Sequence, residues 1–438
     1  MTLATPITVI RGRFLDIQKT VAQANQIADQ VRYLEDGVLI TEQGKIRWFG
    51  TWEDAQDHLP ANVDIQHYPE QLIIPGMIDT HIHFPQTEMV GAYGEQLLSW
   101  LNTYTFPTEI QFKDKTYASE IAKFFVNELL KNGTTTALVF CTVHPESVDA
   151  LFEAAEQHQM RLIAGKVMMD RHAPEALCDS ADSSYDDSKA LIEKWHGQGR
   201  ALYAITPRFA PTSTPEQLER AGQLKAEHPD VYVHTHLSEN KDEIAWVKDL
   251  FPAQKGYLDV YHHYGLTGQR SVFAHCVHLE DAEWQCMHET DSAIAFCPTS
   301  NLFLGSGLFP LNKTWQQQVK VGLGTDVGAG TSFSLLQTVN EAYKVQQLQG
   351  DKLSAFESLY HATLGGAKAL DLDNKLGNFN VGKEADFVVL NLKPTALQQL
   401  RQSRSKSLED SLFALFTMGD DRNVEATYIY GQKAYSQS

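Results

Sequence analysis

The chain has 438 residues, 43% apolar and 21% charged, and its 36 basic and 55 acidic side chains give a formal charge of −19. That composition belongs to a globular protein with a sizeable core. The acidic balance speaks against nucleic acid and against an anionic membrane surface as partners. Five cysteines occur with no Cys-x-x-Cys pair, no run approaches 18 apolar residues, and the first residues show no secretory pattern. The expectation is a cytoplasmic protein without disulfides that acts on a small molecule.

Residues 1–71 read as short strands and turns, with β-prone runs at 7–12, 37–40 and 45–50. Residues 20–33 are polar and fit a loop or a short helix. The texture changes at Leu72. From there apolar runs of strand length alternate with helix-like stretches. The runs end at His83, Phe140, Met169, Pro207, His236, His275, Cys297 and Asp326. Helical periodicity marks residues 115–132, 145–158, 186–196, 215–228, 240–250, 281–289 and 335–348. Eight strands alternating with helices predict a parallel sheet, and eight is the number that closes a barrel, with a doubly wound open sheet as the alternative. The C-terminal residues return to β texture at 387–391 and 426–430. Neither terminal segment is large enough for its own core, so the two are expected to pair into one small β-domain. The organisation read from the sequence is therefore 1–71 and 374–438 as a composite β-domain, and 72–373 as the barrel.

The first barrel run, Met77-Ile78-Asp79-Thr80-His81-Ile82-His83, sets two imidazoles on one face of a strand, half of a tetrahedral metal site. With 17 histidines in the chain, one His-x-His triplet is expected by chance about once, so the triplet alone is weak. The weight lies in what stands at the other strand ends, where a barrel carries its functional side chains. Strand five ends in His236 with Glu239 three residues on, strand six in His275 and strand eight in Asp326. A carboxylate buried at a strand end is costly unless paired or metal-bound. Gly322, Gly324 and Gly328 leave room around Asp326 for a close ligand. His234 faces as His236 does and is a rival ligand. Taken singly, Glu239 reads as a helix N-terminal carboxylate, His275 as a buried hydrogen-bonded histidine, Arg208 as a surface ion pair and Phe209 as core. The segment His144-Pro145-Glu146 imitates the His-x-Glu of another deaminase class, but no Pro-Cys-x-x-Cys accompanies it, so it is read as a helix cap.

The run Pro75-Gly76-Met77-Ile78-Asp79-Thr80-His81-Ile82-His83 resembles the metal-binding signature of the amidohydrolase superfamily, as does Gly382-Lys383-Glu384-Ala385-Asp386-Phe387. The resemblance spans nearly the whole chain. It implies a distorted TIM (β/α)8 barrel with a small β-sandwich domain formed by both termini. A two-metal subgroup carries a lysine at the end of strand four; this chain has Thr206-Pro207-Arg208 there, so a single-metal deaminase is implied. Within the superfamily, five further segments resemble the guanine deaminases: Phe84-Pro85-Gln86 with residues 91–101, residues 104–109, Pro207-Arg208-Phe209-Ala210-Pro211, residues 235–240, and Phe296-Cys297-Pro298-Thr299-Ser300-Asn301. This resemblance implies one Zn2+ per chain on His81, His83, His236 and Asp326. It assigns Glu239, His275 and Asp326 to catalysis and Gln86, Arg208, Phe209, His236, Glu239 and Asp326 to substrate binding. It also implies a homodimer and the conversion of guanine to xanthine and ammonia. The competing readings are a related deaminase of a pterin, cytosine or adenosine derivative, a zinc hydrolase of a cyclic amide, and a barrel retained for assembly.

Overall fold

The computed structural model describes residues 7–61, 63–93 and 97–437, leaving aside the side chains at 97 and 98. The Gly94-Glu95-Gln96 part of the segment at 91–101 lies outside the described residues.

The strands are β1 (Ile7–Ile17), β2 (Val31–Glu42), β3 (Lys45–Thr51), β4 (Ile65–Pro75), β5 (Met77–His83), β6 (Thr134–Phe140), β7 (Arg161–Gly165), β8 (Val167–Met168), β9 (Leu202–Pro207), β10 (Tyr232–Leu237), β11 (Ser271–His275), β12 (Ala293–Phe296), β13 (Lys320–Leu323), β14 (Phe387–Leu390), β15 (Val424–Ile429) and β16 (Gln432–Ser436). Strands β5 to β13 form one parallel sheet in the order β13-β12-β11-β10-β9-β7-β6-β5, with β8 paired to β9. Every barrel run read from the sequence is a strand. The third is broken at the buried Lys166 into β7 and β8. The expected helices occur as Lys115–Lys131, Pro145–Glu156, Ala181–Trp195, Pro215–Glu227, Lys241–Leu250, Asp281–Glu289 and Leu335–Leu348. Residues 24–30 make two single helical turns, and His144 caps the helix Pro145–Glu156 as anticipated.

The barrel closes between β13 and β5. Thr80 Oγ1 donates to Leu323 O, Asp326 N to His81 O and His83 N to Val327 O, each at 2.9 Å. Asp79, itself fully buried, accepts from the backbone and hydroxyl of Thr325. Two of the glycines expected to make room for a ligand, Gly322 and Gly324, serve this seam instead. A Cβ on Gly322 would lie 2.4 Å from Thr80 Cγ2, and one on Gly324 would lie 2.9 Å from His81 Cβ. Only a residue without a side chain lets the two strands approach this closely.

Both termini join in a second sheet, ordered β16-β15-β14-β4-β1-β2-β3. The chain ends do come together, in one run of seven hydrogen-bonded strands that folds back on itself: a Cβ on Gly431, after β15, would lie 2.6 Å from Thr41 Oγ1 of β2, and β1, β2, β3, β4, β14 and β15 share one core. Strand β4 is its hinge, pairing parallel with β1 and antiparallel with β14. The Gly382–Phe387 segment ties this sheet to the barrel. Glu384 receives Arg161 Nη2 at 2.5 Å and Arg200 Nη2 at 2.6 Å, and Asp386 pairs with Arg200 as well. These charges are almost fully buried, which each tolerates because each is paired. All five cysteines are free. Among the described residues, no helix is long and apolar enough to cross a membrane.

Candidate metal and substrate site

The strand ends converge on one buried cluster. His81 Nε2 and His236 Nε2 each lie 3.2 Å from His83 Nε2, and Asp326 Oδ1 lies 3.1 Å from His81 Nε2 and 3.3 Å from His83 Nε2. Local backbone devices aim these groups. On β5, Ile78 packs in the barrel interior with Leu138, Ile163 and Ala204, so strict alternation would turn His81 and His83 outward. A register irregularity between Asp79 and Ile82 resets the alternation and brings both imidazoles inside. His275 and Asp326 take left-handed φ values of 72° and 52° where their strands end, which turns their side chains across the cluster.

The donor chemistry fits a divalent cation. Burial holds the imidazole of His83 down at about 3, and those of His81 and His236 below their ordinary value. Neutral imidazoles present lone pairs. Two of the three outward nitrogens are engaged: His236 Nδ1 donates to Arg208 O at 2.7 Å, and His81 Nδ1 shares a 2.8 Å hydrogen bond with His234 Nε2. That engagement turns the Nε2 lone pairs of His81 and His236 inward, as metal-ligating histidines require. Three nitrogen lone pairs and a carboxylate oxygen about 3 Å apart repel one another unless a cation lies between them. His234, the rival ligand, sits behind His81 as its hydrogen-bond partner and does not face the centre.

Glu239 and His275 flank this cluster. His275 Nδ1 donates to Asn301 Oδ1 at 2.9 Å, which directs Nε2 toward Glu239 Oε2 at 3.4 Å and Asp326 Oδ2 at 3.7 Å. Glu239 does not serve the following helix. Asn240 caps Lys241–Leu250, and Glu243 completes the capping box by accepting from the backbone N–H of Glu239 and Asn240. Glu239 is left facing the cavity, with Ser306 Oγ donating to its Oε1 at 2.9 Å. Burial, reinforced by the charge of Asp326, pushes its carboxyl up to about 8. An acid poised there can both take and return a proton near neutral pH.

The cavity is lined by His83, Gln86, Arg208, Phe209, Trp100 and Glu239 among others, and encloses about 430 Å³ of non-protein space, mouth included. Arg208 is a buried ion pair where its residue type alone suggests a surface one: Nη1 donates to Glu109 Oε2 at 2.7 Å. Gln86 Nε2 donates to Glu109 Oε1 at 3.2 Å and Gln86 Oε1 accepts from Gly328 N at 3.2 Å. Sequence reasoning missed Glu109, Ser306, Asn301, Glu243 and Trp100. Trp100, Glu109 and Asn301 lie in segments that carry the family resemblance, residues 91–101, 104–109 and 296–301, but nothing in the sequence marks which side chain turns inward.

Residues 72–434 match the model of the amidohydrolase family. The chain is 61% identical over 432 residues to a guanine deaminase of Escherichia coli K12, covering 99% of this chain and 98% of that one. The solved structure of E. coli guanine deaminase superposes with a TM-score of 0.96 at 60% identity, covering 99% and 100% of the two chains. That of guanine deaminase from C. acetobutylicum, with guanine bound in its active site, superposes at 0.88 with 30% identity over 98% and 100%. The chain belongs to the amidohydrolase family, on the branch that holds the guanine deaminases.

Proposed function

We propose that this chain catalyses the hydrolytic deamination of guanine to xanthine and ammonia, a step of purine catabolism, with one Zn2+ per chain on His81, His83, His236 and Asp326. The observation that carries this reading is a metal-type donor cluster, a raised-pKa carboxyl and a buried arginine lining one cavity. Bound zinc would supply a water acidified to near-neutral pH and a Lewis acid beside the carbon under attack.

The protein's own residues do the rest. His275, fixed by Asn301, and Asp326 orient the attacking water. Glu239 takes a proton from it as oxygen bonds to C2 of guanine, and delivers that proton to N3. When the tetrahedral carbon collapses, Glu239 or Asp326 takes the proton of the new C2–OH and passes it to the amine, the C2–N bond breaks, and the oxygen becomes the carbonyl of xanthine as ammonia leaves. Arg208 is always charged and offers a rigid donor fork, so it recognises O6; adenine, with an amine there, would leave those donors unpaired. Gln86, held between Glu109 and Gly328, and Phe209 complete the purine pocket.

In this reading residues 1–71 and 374–438 form the composite β-domain and 72–373 the barrel, with Leu72–Pro75 at the junction paired to β14 in the terminal sheet. Family membership is what supports a homodimer, and the acidic, disulfide-free composition supports a cytoplasmic location; light scattering and cell fractionation test them.

The deciding experiment is metal analysis together with ammonia release from guanine, adenine and cytosine side by side. Expected are about one zinc per chain and a guanine kcat/KM at least ~100-fold above the others. Preferential release from adenine or cytosine overturns the assignment.

A further inference from the structure

Trp100 carries a polar atom that the protein leaves unused. Its side chain is 2% exposed, and Nε1 is buried without a hydrogen-bond partner. An unpaired buried donor is costly, and a buried tryptophan N–H normally finds an acceptor. The residue stands on the wall of the cavity that holds Gln86, Arg208, Phe209 and Glu239. It packs there in an apolar cluster with Met89, Leu101, Phe106, Phe209 and Leu304. Among the described cavity-lining residues, the other buried side-chain atom without a partner is His83 Nδ1, which belongs to the metal cluster.

We infer that the indole N–H of Trp100 donates to N7 of the purine and so helps to select the substrate. The inference rests on the proposed guanine chemistry. In its N9–H form guanine offers three acceptors: N3, O6 and N7. N3 adjoins C2, so it must face Glu239 when C2 faces the metal centre. O6 takes the guanidinium of Arg208. N7 is then the acceptor without a donor, and Trp100 is the donor without an acceptor. Pairing them relieves in the complex a cost the free protein bears, so the indole discriminates against a ring that lacks the N7 lone pair.

The test crosses a change in the protein with a change in the substrate. Kinetics are measured for the wild type and Trp100→Phe, each with guanine and with 7-deazaguanine, in which C–H replaces N7. Phenylalanine keeps an aromatic wall but donates nothing. The expected result is a kcat/KM about tenfold lower for W100F with guanine, a similar loss for the wild type with 7-deazaguanine, and no further loss when the two changes are combined. Zinc content and thermal midpoint are measured in parallel. If W100F fails to fold, the wild-type comparison decides alone: equal handling of the two purines overturns the inference. Equal losses for W100F on both substrates, or no loss on guanine, also overturn it. If the wild type releases no ammonia from guanine at all, the reading of the site falls as well, which separates the two failures.

Discussion

Arg208 and Glu109 form a buried ion pair at the back of the substrate cavity, 2.7 Å apart, with side chains only 3% and 1% exposed. Glu109 comes from the run of short helical turns after β5, and Arg208 from the end of β9. The second carboxylate oxygen of Glu109 receives Gln86. One side chain that the sequence did not mark therefore aligns both residues expected to read the purine. With Nη1 committed to Glu109, the fork of Arg208 is fixed in orientation and its remaining N–H groups are free to meet a ligand.

Glu109→Gln should lower guanine kcat/KM by about 100-fold, because a buried guanidinium left without its carboxylate costs several kcal/mol and loses its orientation. Zinc content should stay at the wild-type level. Arg208→Ala should behave alike. Steady-state kinetics with metal analysis checks both. Loss of zinc in either variant would mean that the pair supports the metal cluster instead of the substrate.

Glu239→Gln should keep zinc and lose turnover by a factor of ~10²–10⁴, the range for removal of a general acid-base. Ser306→Ala is the subtler probe. Its hydroxyl stabilises the ionised Glu239 carboxylate, so losing it raises a pKa that already stands near 8. The limb of the pH–rate profile governed by Glu239 should move to higher pH, with kcat reduced less than about tenfold at its optimum. A profile that stays in place would show that this limb belongs to another group.

Gly324→Ala should destabilise the fold by about 1–3 kcal/mol, the usual cost of overpacking. The added methyl would lie 2.9 Å from both Cys297 Sγ and His81 Cβ, and His81 sits on a strand that cannot yield without moving a ligand. Zinc affinity should fall along with the thermal midpoint. Calorimetry and competition with a chelator measure the two; an unchanged zinc affinity would show that the seam relaxes away from the metal.

The pattern of these predictions follows what local sequence can encode. The barrel was legible because strand and helix periods alternate, and periodicity is set by which face each element buries. His83, His236, His275 and Asp326 were legible because a barrel offers its function at strand ends, a position readable from each run. The irregularity that turns His81 inward was not, since it arises from the pairing of β5 with β6. The seam glycines were noticed, but their role was mistaken, because crowding by Thr80 and His81 comes from a strand more than 200 positions away. Glu109, Asn301 and Ser306 stayed hidden for the same reason: each acts through a partner that only the closed barrel brings near.

Lys383 offers a test remote from the site, in the segment that joins the terminal sheet to the barrel. Its ammonium donates to Leu376 O, and burial lowers its pKa from 10.5 to about 8. Between pH 8 and 10.5 the unfolded chain therefore holds this proton more tightly than the native one. Stability charged to Lys383 is lowest below pH 8 and recovers as pH rises through that window. Lys383→Met removes the cost. The variant should exceed the wild type in unfolding free energy by about 1–3 kcal/mol at pH 7, and the gap should close by pH 10.5. Denaturant titrations of both proteins at pH 7, 9 and 10.5 measure that difference directly, so the ionisation of other groups cancels. A gap that is constant across the three values would assign the gain to packing and remove Lys383 as the titrating group.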